Sequence, residues 1–192
     1  MKKNILIVLG NPDKESFCGA LADEYEKGAE EAGAIVHRLN LGELKFDPIL
    51  WKGYKVIQKL EPDLIKAQKE IKWANHLVFI HPVWWGYMPA LMKGFFDRVL
   101  LPGFGFHLEK GAKKQEKLLK GRTARLIVTV GTYSFIYQLF DWLAEKVMDG
   151  GIMSFCGIKP TGTSVFGPAE NMKEKTSAKW LKKVFEMGKA WR

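Results

Sequence analysis

Five short strand-like segments alternate with amphipathic helical segments along the chain, and this order restricts the fold more than any other feature. The strand-like segments are residues 5–9, 34–39, 76–81, 124–130 and 158–165. Residues 5–9 form a continuous run of Leu and β-branched residues, as is typical of a central parallel strand buried on both faces. Helical periodicity is found in residues 16–33, 62–74, 88–101, 136–148 and 180–191. The order predicts a doubly wound α/β fold, with helices on both faces of a five-stranded, mostly parallel sheet.

The length of 192 residues, without a linker, repeat or low-complexity tract, predicts one domain over residues 1–192. No apolar run approaches the roughly 18 residues that cross a bilayer, so no integral membrane segment is expected. The opening run, residues 5–9, is too short for a secretory signal. Cys18 and Cys156 form neither a disulfide framework nor a metal site. We therefore expect a cytoplasmic protein without a bound metal.

The formal charge of +9 raises the question of nucleic acid. Basic residues are concentrated between Lys110 and Arg125, but no zinc-finger spacing, recognition helix or aromatic RNA-binding strand accompanies them. The first interpretation is a solvated loop, and the second is attraction of an anionic cofactor such as NADPH. Nucleic acid comes third, and we expect no nucleic-acid partner.

Ligands of doubly wound folds bind beyond the carboxyl ends of the strands. This rule selects three segments, which we call the first loop (residues 10–17), the second loop (residues 81–88) and the third loop (residues 129–137). The first loop contains Asn11 and Ser16 and leads into a helix, whose free N–H groups favour a phosphate. Ser16 as a plain helix N-cap is an equally good interpretation.

The second loop carries two adjacent tryptophans and a tyrosine at a strand end, His81-Pro82-Val83-Trp84-Trp85-Gly86-Tyr87. Neighbouring aromatic side chains cannot all enter one core, so at least one must cover surface or contact a ligand. Pro82 stiffens the loop, and Gly86 allows a close backbone approach. The loop suits a flat heteroaromatic ring with polar edges, and a dimer contact is the alternative.

A long motif begins in the second loop. From Pro82 to Val99 the chain reads P-x-x-W-G-x-x-P-A-x-x-K-G-x-F-D-R-V, and Pro-Gly-Phe-Gly-Phe follows at residues 102–106. Together with residues 5–9, Ser16-Phe17 and Phe155-Cys156-Gly157, this pattern resembles the flavodoxin-like NAD(P)H:quinone oxidoreductase family. The resemblance covers nearly the whole chain and implies a flavodoxin-like fold.

The resemblance implies a ping-pong reaction: NAD(P)H passes hydride to flavin N5 and leaves, and a quinone or similar acceptor then takes it. FAD is the expected flavin, with FMN as the alternative, and a homodimer is expected. Some relatives instead regulate potassium-efflux systems of membranes, for which the segment from Lys110 to Arg125 would be the docking surface.

The resemblance also implies which residues contact the flavin. Near the phosphates and ribityl chain it places Ser16, Phe17 and Cys18, although mammalian enzymes have Asn in place of Cys18. Near the N5 edge it places the backbone of Pro82, Val83, Trp84, Trp85 and Gly86. Near the pyrimidine edge it places Thr129, Val130, Gly131 and Thr132.

Tyr137 is the candidate catalytic residue, because its phenol could stabilise developing negative charge on reduced flavin. Burial in the core is the alternative for Tyr137, and Tyr133 competes for the same role. The mammalian enzymes have a partner His at the position of Leu143, which leaves Tyr137 without that relay.

For several conspicuous residues we expect a structural role rather than a catalytic one. His81 is expected to bond the backbone. Lys93, Asp97 and Arg98 are expected to form a charged, exposed helix face.

Overall fold

The computed structural model describes residues 3–108, 115–135, 137, 146–170 and 172–191. Its main sheet has five parallel strands in the order β2-β1-β3-β6-β7, which is the flavodoxin-like order. The strands are β1 (Asn4–Leu9), β2 (Ile35–Asn40), β3 (His76–Pro82), β6 (Thr123–Thr129) and β7 (Lys159–Phe166). The predicted fold class is confirmed, and every strand lies within two residues of its expected bounds.

Within the described residues, four long helices connect and cover these strands: α1 (Phe17–Glu31), α2 (Pro62–Trp73), α3 (Ala90–Val99) and α4 (Glu174–Lys189). Ser16 caps α1, since its side-chain oxygen accepts from the Gly19 N–H. A π-helix (Val147–Met153) and one helical turn (Ser154–Cys156) precede β7. Most of the predicted helix over residues 136–148 lies outside the described residues.

The two faces of the sheet carry separate cores. On one face, Leu6, Leu77 and Leu126 pack with α2 and α3. On the other face, Ile7 and Ile127 pack with α1 and α4. Side chains alternate across each strand, so β1 and β6 each supply both cores. This two-faced burial explains why the central strands β1, β3 and β6 are largely apolar rather than alternating, whereas the edge strands β2 and β7 are partly exposed and carry polar residues.

The prediction for α3 is only partly right. Lys93 and Asp97 form an exposed ion pair at 2.7 Å, as expected. Arg98, however, is fully buried. Its guanidinium donates to the carboxylate of Glu61, with the closer contact at 2.8 Å, and to the carbonyl oxygens of Asp47 and Lys59. Arg98 is thus paired inside the protein and ties the irregular segment 44–61 to α3.

The described part of the basic segment includes regular structure. A short antiparallel pair, β4 (Phe106–His107) and β5 (Glu116–Lys117), encloses residues 109–114, which lie outside the described part of the chain. The last basic residue, Arg125, belongs to β6 and is partly buried. The docking surface expected for a membrane partner therefore does not include Arg125.

Candidate active site at the carboxyl edge of the sheet

The three predicted loops meet because β1, β3 and β6 are adjacent in the sheet. Gly10, which follows β1, donates its N–H to Ile80 of β3 at 2.7 Å. Val83, which follows β3, donates its N–H to Thr129 of β6 at 2.8 Å. The backbone thus links each loop to its neighbour, and the expected convergence at one edge is observed.

The first loop is built around Asx-type and capping hydrogen bonds. The Asn11 side chain accepts from the Asp13 N–H at 3.0 Å, and the Ser16 hydroxyl donates to the Asp13 carbonyl at 2.7 Å. At the start of α1 the N–H groups of Phe17 and Cys18 have no acceptor among the described residues. With the positive end of the helix dipole, these groups favour an anion.

Cys18 faces the interior rather than the loop surface. Its thiol is buried and lies 3.2 Å from the Thr129 hydroxyl. Burial raises the pKa of the thiol to about 11, so it stays protonated at neutral pH. The Cys18 side chain thus joins the first loop to the end of β6, and what it presents outward is its N–H group.

The second loop is a tight hairpin from Trp84 to Tyr87. These two residues exchange backbone hydrogen bonds of 2.8 and 3.0 Å. Both central residues have positive φ, 52° at Trp85 and 72° at Gly86, as a type I′ turn requires. Gly86 adopts this conformation freely, whereas for Trp85 it costs about 1–2 kcal/mol.

The hairpin decides which backbone groups remain available. Pro82 has no N–H, and the N–H groups of Val83 and Trp84 are already bonded. The N–H groups of Trp85 and Gly86 have no acceptor within the described part of the chain. The Trp85 side chain is fully exposed and that of Trp84 is half exposed. Of the predicted loop residues, Trp85 and Gly86 are therefore the available donors.

The third loop also contains both residues that are bonded to neighbouring segments and residues that are available to a ligand. Thr129 and Val130 are buried, and their carbonyl oxygens accept from Val83 and Ala169. Gly131 and Thr132 are exposed, and their N–H groups have no acceptor among residues that the structure describes. Gly131 and Thr132 are thus available to a ligand, whereas Thr129 and Val130 hold the loop in place.

The two candidate tyrosines lie in different environments. Tyr137 is 2% exposed and borders a small internal space together with His81, Met88 and Val128. Tyr133 is 58% exposed, with its ring 5.9 Å from that of Phe135. Leu143, where a relay His was sought, lies outside the described residues.

A fourth segment that the sequence did not reveal borders the third loop. After β7, Ala169 donates its N–H to Val130 at 2.8 Å, and Gly167 packs against the Thr132 carbonyl. The Glu170 carboxylate lies about 3.6 Å from where a side chain on Gly131 would begin. The position of this segment after a parallel strand is the signal that could have found it.

His81 is buried beneath the second loop, and its Nδ1 lies 2.8 Å from the Pro82 carbonyl, as predicted. Burial lowers its pKa to about 4, a shift that the hydrogen bond to Pro82 opposes. In the unfolded chain the pKa is near 6.5. Between these values the unfolded state binds more protons, so stability falls as pH decreases from 6.5 towards 4.

Lowering the pH from 7 to 5 is therefore expected to decrease the free energy of unfolding by about 2 kcal/mol through His81 alone. Urea unfolding at both pH values measures this loss, and the His81→Gln variant should lose correspondingly less. An equal loss in the variant and the original protein would contradict the assignment.

No helix within the described ranges is long and apolar enough to span a membrane. Within the same ranges, no three His, Cys, Asp or Glu side chains are grouped as a metal site requires.

Comparison with known proteins agrees with this geometry. The sequence model of the Flavodoxin_2 family, described as having a flavodoxin-like fold, matches residues 3–187. The chain belongs to this family. A relative from Haemophilus influenzae, named as an uncharacterized NAD(P)H oxidoreductase, is 30% identical over 172 residues, which are 85% of this chain and 83% of that protein.

Two solved structures share the fold. The NAD(P)H:quinone oxidoreductase from Methanothermobacter marburgensis has a TM-score of 0.83 and 20% identity, covering 100% of this chain and 98% of that one. An FMN-dependent NADH-azoreductase from Bacillus anthracis, in complex with FMN, has a TM-score of 0.71 and 20% identity, covering 98% and 99%. The resemblance inferred from the motif and the assignment as an oxidoreductase are confirmed.

Proposed function

We propose that this protein is a flavin-dependent NAD(P)H:quinone oxidoreductase that binds its flavin at the carboxyl edge of the sheet. One observation carries the proposal: the three loops meet at one edge, and each has backbone N–H groups without an acceptor among the described residues, close to exposed aromatic side chains. Donor groups for a phosphate and for the polar edge of a ring, beside apolar walls, match the chemistry of a flavin.

The residues present fit a flavin group by group. The N–H groups of Phe17 and Cys18 would hold its phosphate at the start of α1. Asn11 and Ser16 shape that loop and would lie beside the phosphate and the ribityl chain.

The ring would be held mainly by backbone. The N–H groups of Trp85 and Gly86 would face its N5 edge, and those of Gly131 and Thr132 its pyrimidine edge. Pro82, Val83, Thr129 and Val130 would support these donors through the hydrogen bonds between the second and third loops and β7. Trp84 would cover the ring from the side.

Bound flavin would supply hydride transfer at N5, from NAD(P)H and then to a quinone-like acceptor, in a ping-pong sequence. The protein's tasks are to orient the ring, to exclude water beside Trp84 and Trp85, and to offer hydrogen bonds where negative charge develops. The positive net charge of +9 attracts the anionic dinucleotide.

FAD is the flavin we propose, with FMN as the alternative. The start of α1 accepts a phosphate of either cofactor. Heating the purified protein and separating the released flavin by chromatography distinguishes the two. FAD alone is the expected result, and FMN alone would contradict this choice.

Tyr137 is the proposed hydrogen-bond donor to reduced flavin, and Tyr133, whose carbonyl accepts from the Tyr137 N–H at 3.1 Å, provides the comparison. We expect Tyr137→Phe to lower kcat about 100-fold, as loss of one donor to developing charge does, and Tyr133→Phe to change it less than about twofold. Stopped-flow reduction by NADPH measures both variants. The reverse ranking would assign the role to the exposed Tyr133.

A homodimer is part of the proposal. The segment 49–57 exposes Ile49, Trp51, Tyr54, Val56 and Ile57, the last almost completely. Tyr54 also borders a cavity of about 370 Å³ whose wall includes Phe106 and Phe155. An apolar surface of this kind is typical of an interface, and a second copy of the chain is its proposed occupant.

Sedimentation of the Ile57→Asp variant tests the dimer. A shift to monomer is expected, while Ile35→Asp, an exposed isoleucine on the edge strand β2, should leave the dimer intact. Dimers that persist in Ile57→Asp would contradict the assignment.

The activity itself is tested with flavin-reconstituted protein and a soluble quinone. NAD(P)H oxidation with parallel double-reciprocal plots is the expected result, as a ping-pong sequence requires. Lack of quinone-dependent oxidation with both FAD and FMN would refute the function. The buried thiols of Cys18 and Cys156 suit the reducing cytoplasm in which we propose that the enzyme works, as one domain over residues 1–192.

A further inference from the structure

A group of buried polar side chains lies at the amino-terminal edge of the sheet, opposite the candidate active site. Its members are Tyr25 of α1, His76 of β3, Arg125 of β6 and Trp191, which follows α4. We call them the lower cluster. Tyr25 and His76 are fully buried, and both belong to a region that is otherwise an apolar core.

Pairing in the sheet places His76 and Arg125 on the same face. His76 is opposite Thr123, with its Nδ1 at 2.7 Å from the Thr123 hydroxyl, and Arg125 is two residues further along β6. The Arg125 guanidinium donates to the Ser164 hydroxyl at 2.8 Å and lies 3.8 Å from the sulfur of Met187 in α4.

Close packing of α1 against α4 covers this face. Gly188 of α4 lies directly on the Tyr25 carbonyl. Three residues later Trp191 adopts a φ of 51°, a conformation that favours glycine, and its indole packs against the core. The strained Trp191 backbone thus places the indole on the same core as Tyr25, with the Lys3 ammonium 5.3 Å from the ring.

Every member of the lower cluster has a buried polar atom without a hydrogen-bond partner among the described residues: Tyr25 Oη, His76 Nε2, Arg125 Nε and Trp191 Nε1. Two of these atoms, Arg125 Nε and Trp191 Nε1, are donors only. Buried donors are nearly always paired in folded proteins, and leaving one unpaired is costly. A further acceptor beside these two atoms would satisfy both donors.

The charge in the cluster is also uncompensated. In the part of the chain that the structure describes, Arg125 has no carboxylate partner, and its guanidinium contacts are the Ser164 hydroxyl and the Met187 sulfur. Burial, together with the positive charges of Lys3 and Arg125, lowers the pKa of His76 to about 4. A half-buried cation with positive neighbours and unpaired donors is the environment that binds an anion.

We propose that the lower cluster is a binding site for a small inorganic anion of the halide class, held by Arg125, His76 and Trp191 beneath α4. A halide is a spherical acceptor that takes donors from several directions. A water molecule would also accept from these donors, but it carries no charge to balance Arg125, which has no carboxylate partner among the described residues. The site is independent of the proposed redox function.

Unfolding in chloride tests the proposal. Sodium gluconate, whose anion is too large for the cluster, is replaced stepwise by sodium chloride at constant ionic strength. Above the chloride Kd, the folded-to-unfolded ratio is expected to rise about tenfold for each tenfold rise in chloride. The Arg125→Met variant should show no such rise.

A matched control is Arg122→Met, since Arg122 also lies near the start of β6 but donates to the carbonyl oxygens of Ile71 and Lys72. This variant should keep the chloride response of the original protein. A chloride response that is absent from the original protein, or unchanged in Arg125→Met, overturns the proposal.

Bromide gives a second readout that needs no variant. Crystals of the protein grown in sodium bromide should show an anomalous peak beside Arg125 Nε and His76 Nε2. An ordered water without anomalous signal at that position would overturn the anion assignment.

Discussion

Replacing Arg98 by methionine is expected to lower the free energy of unfolding by about 2–3 kcal/mol, because the change removes the partner of the Glu61 carboxylate, which is 29% exposed. The carbonyl oxygens of Asp47 and Lys59 would lose their donor as well. The Arg98 side chain is fully buried, so methionine fills its space without restoring these bonds. Urea unfolding measures the loss.

The same helix supplies the control. Lys93→Met removes an ion pair whose members are both about 40–50% exposed, and it should cost less than about 1 kcal/mol. If Arg98→Met and Lys93→Met lower the free energy of unfolding by the same amount, Arg98 does not anchor the segment 44–61. A further consequence is that segment 44–61, once released in Arg98→Met, should become the first site of proteolytic cleavage.

Replacing Gly28 by valine is expected to cost on the order of 3 kcal/mol, because a Cβ there would overlap the backbone of Phe185 in α4. Gly188 lies on the Tyr25 carbonyl in the reciprocal way. The two glycines thus let α1 and α4 approach with their backbones in contact. Valine would separate the helices and expose part of the core around Val184.

Gly150→Ala is the matched control, because nothing lies within 4 Å of the Cβ that it adds. Its effect on thermal unfolding should stay within about 0.5 kcal/mol. If the Gly28→Val variant unfolds at the same temperature as the original protein, the two helices pack more loosely than the structure indicates.

The order of elements could be predicted because burial on both faces leaves largely apolar central strands, and the helices between them have a regular apolar spacing. Both are local patterns. The burial of Arg98 could not. Its partner Glu61 is 37 residues away in sequence, and by spacing alone Arg98 belongs with the exposed pair Lys93 and Asp97. A charged residue on a helix is expected to be exposed to solvent unless its tertiary partner is known.

Prediction of the candidate site was also limited because local sequence patterns do not show tertiary contacts. The second and third loops were found from strand ends and aromatic residues. Which of their backbone N–H groups are free depends on bonds across the sheet, such as Val83 to Thr129 and Val130 to Phe166. These bonds leave Trp85, Gly86 and Thr132 among the available donors, a division that no local pattern predicts.

Flavin binding beside the second loop is the central claim, and titration of the purified protein with FAD, followed by tryptophan fluorescence, tests it most directly. One FAD per chain should bind with a Kd of about 1 µM or below and quench the emission, and Trp85→Phe should lose part of that quenching. Absence of binding of both FAD and FMN at about 100 µM would contradict the account.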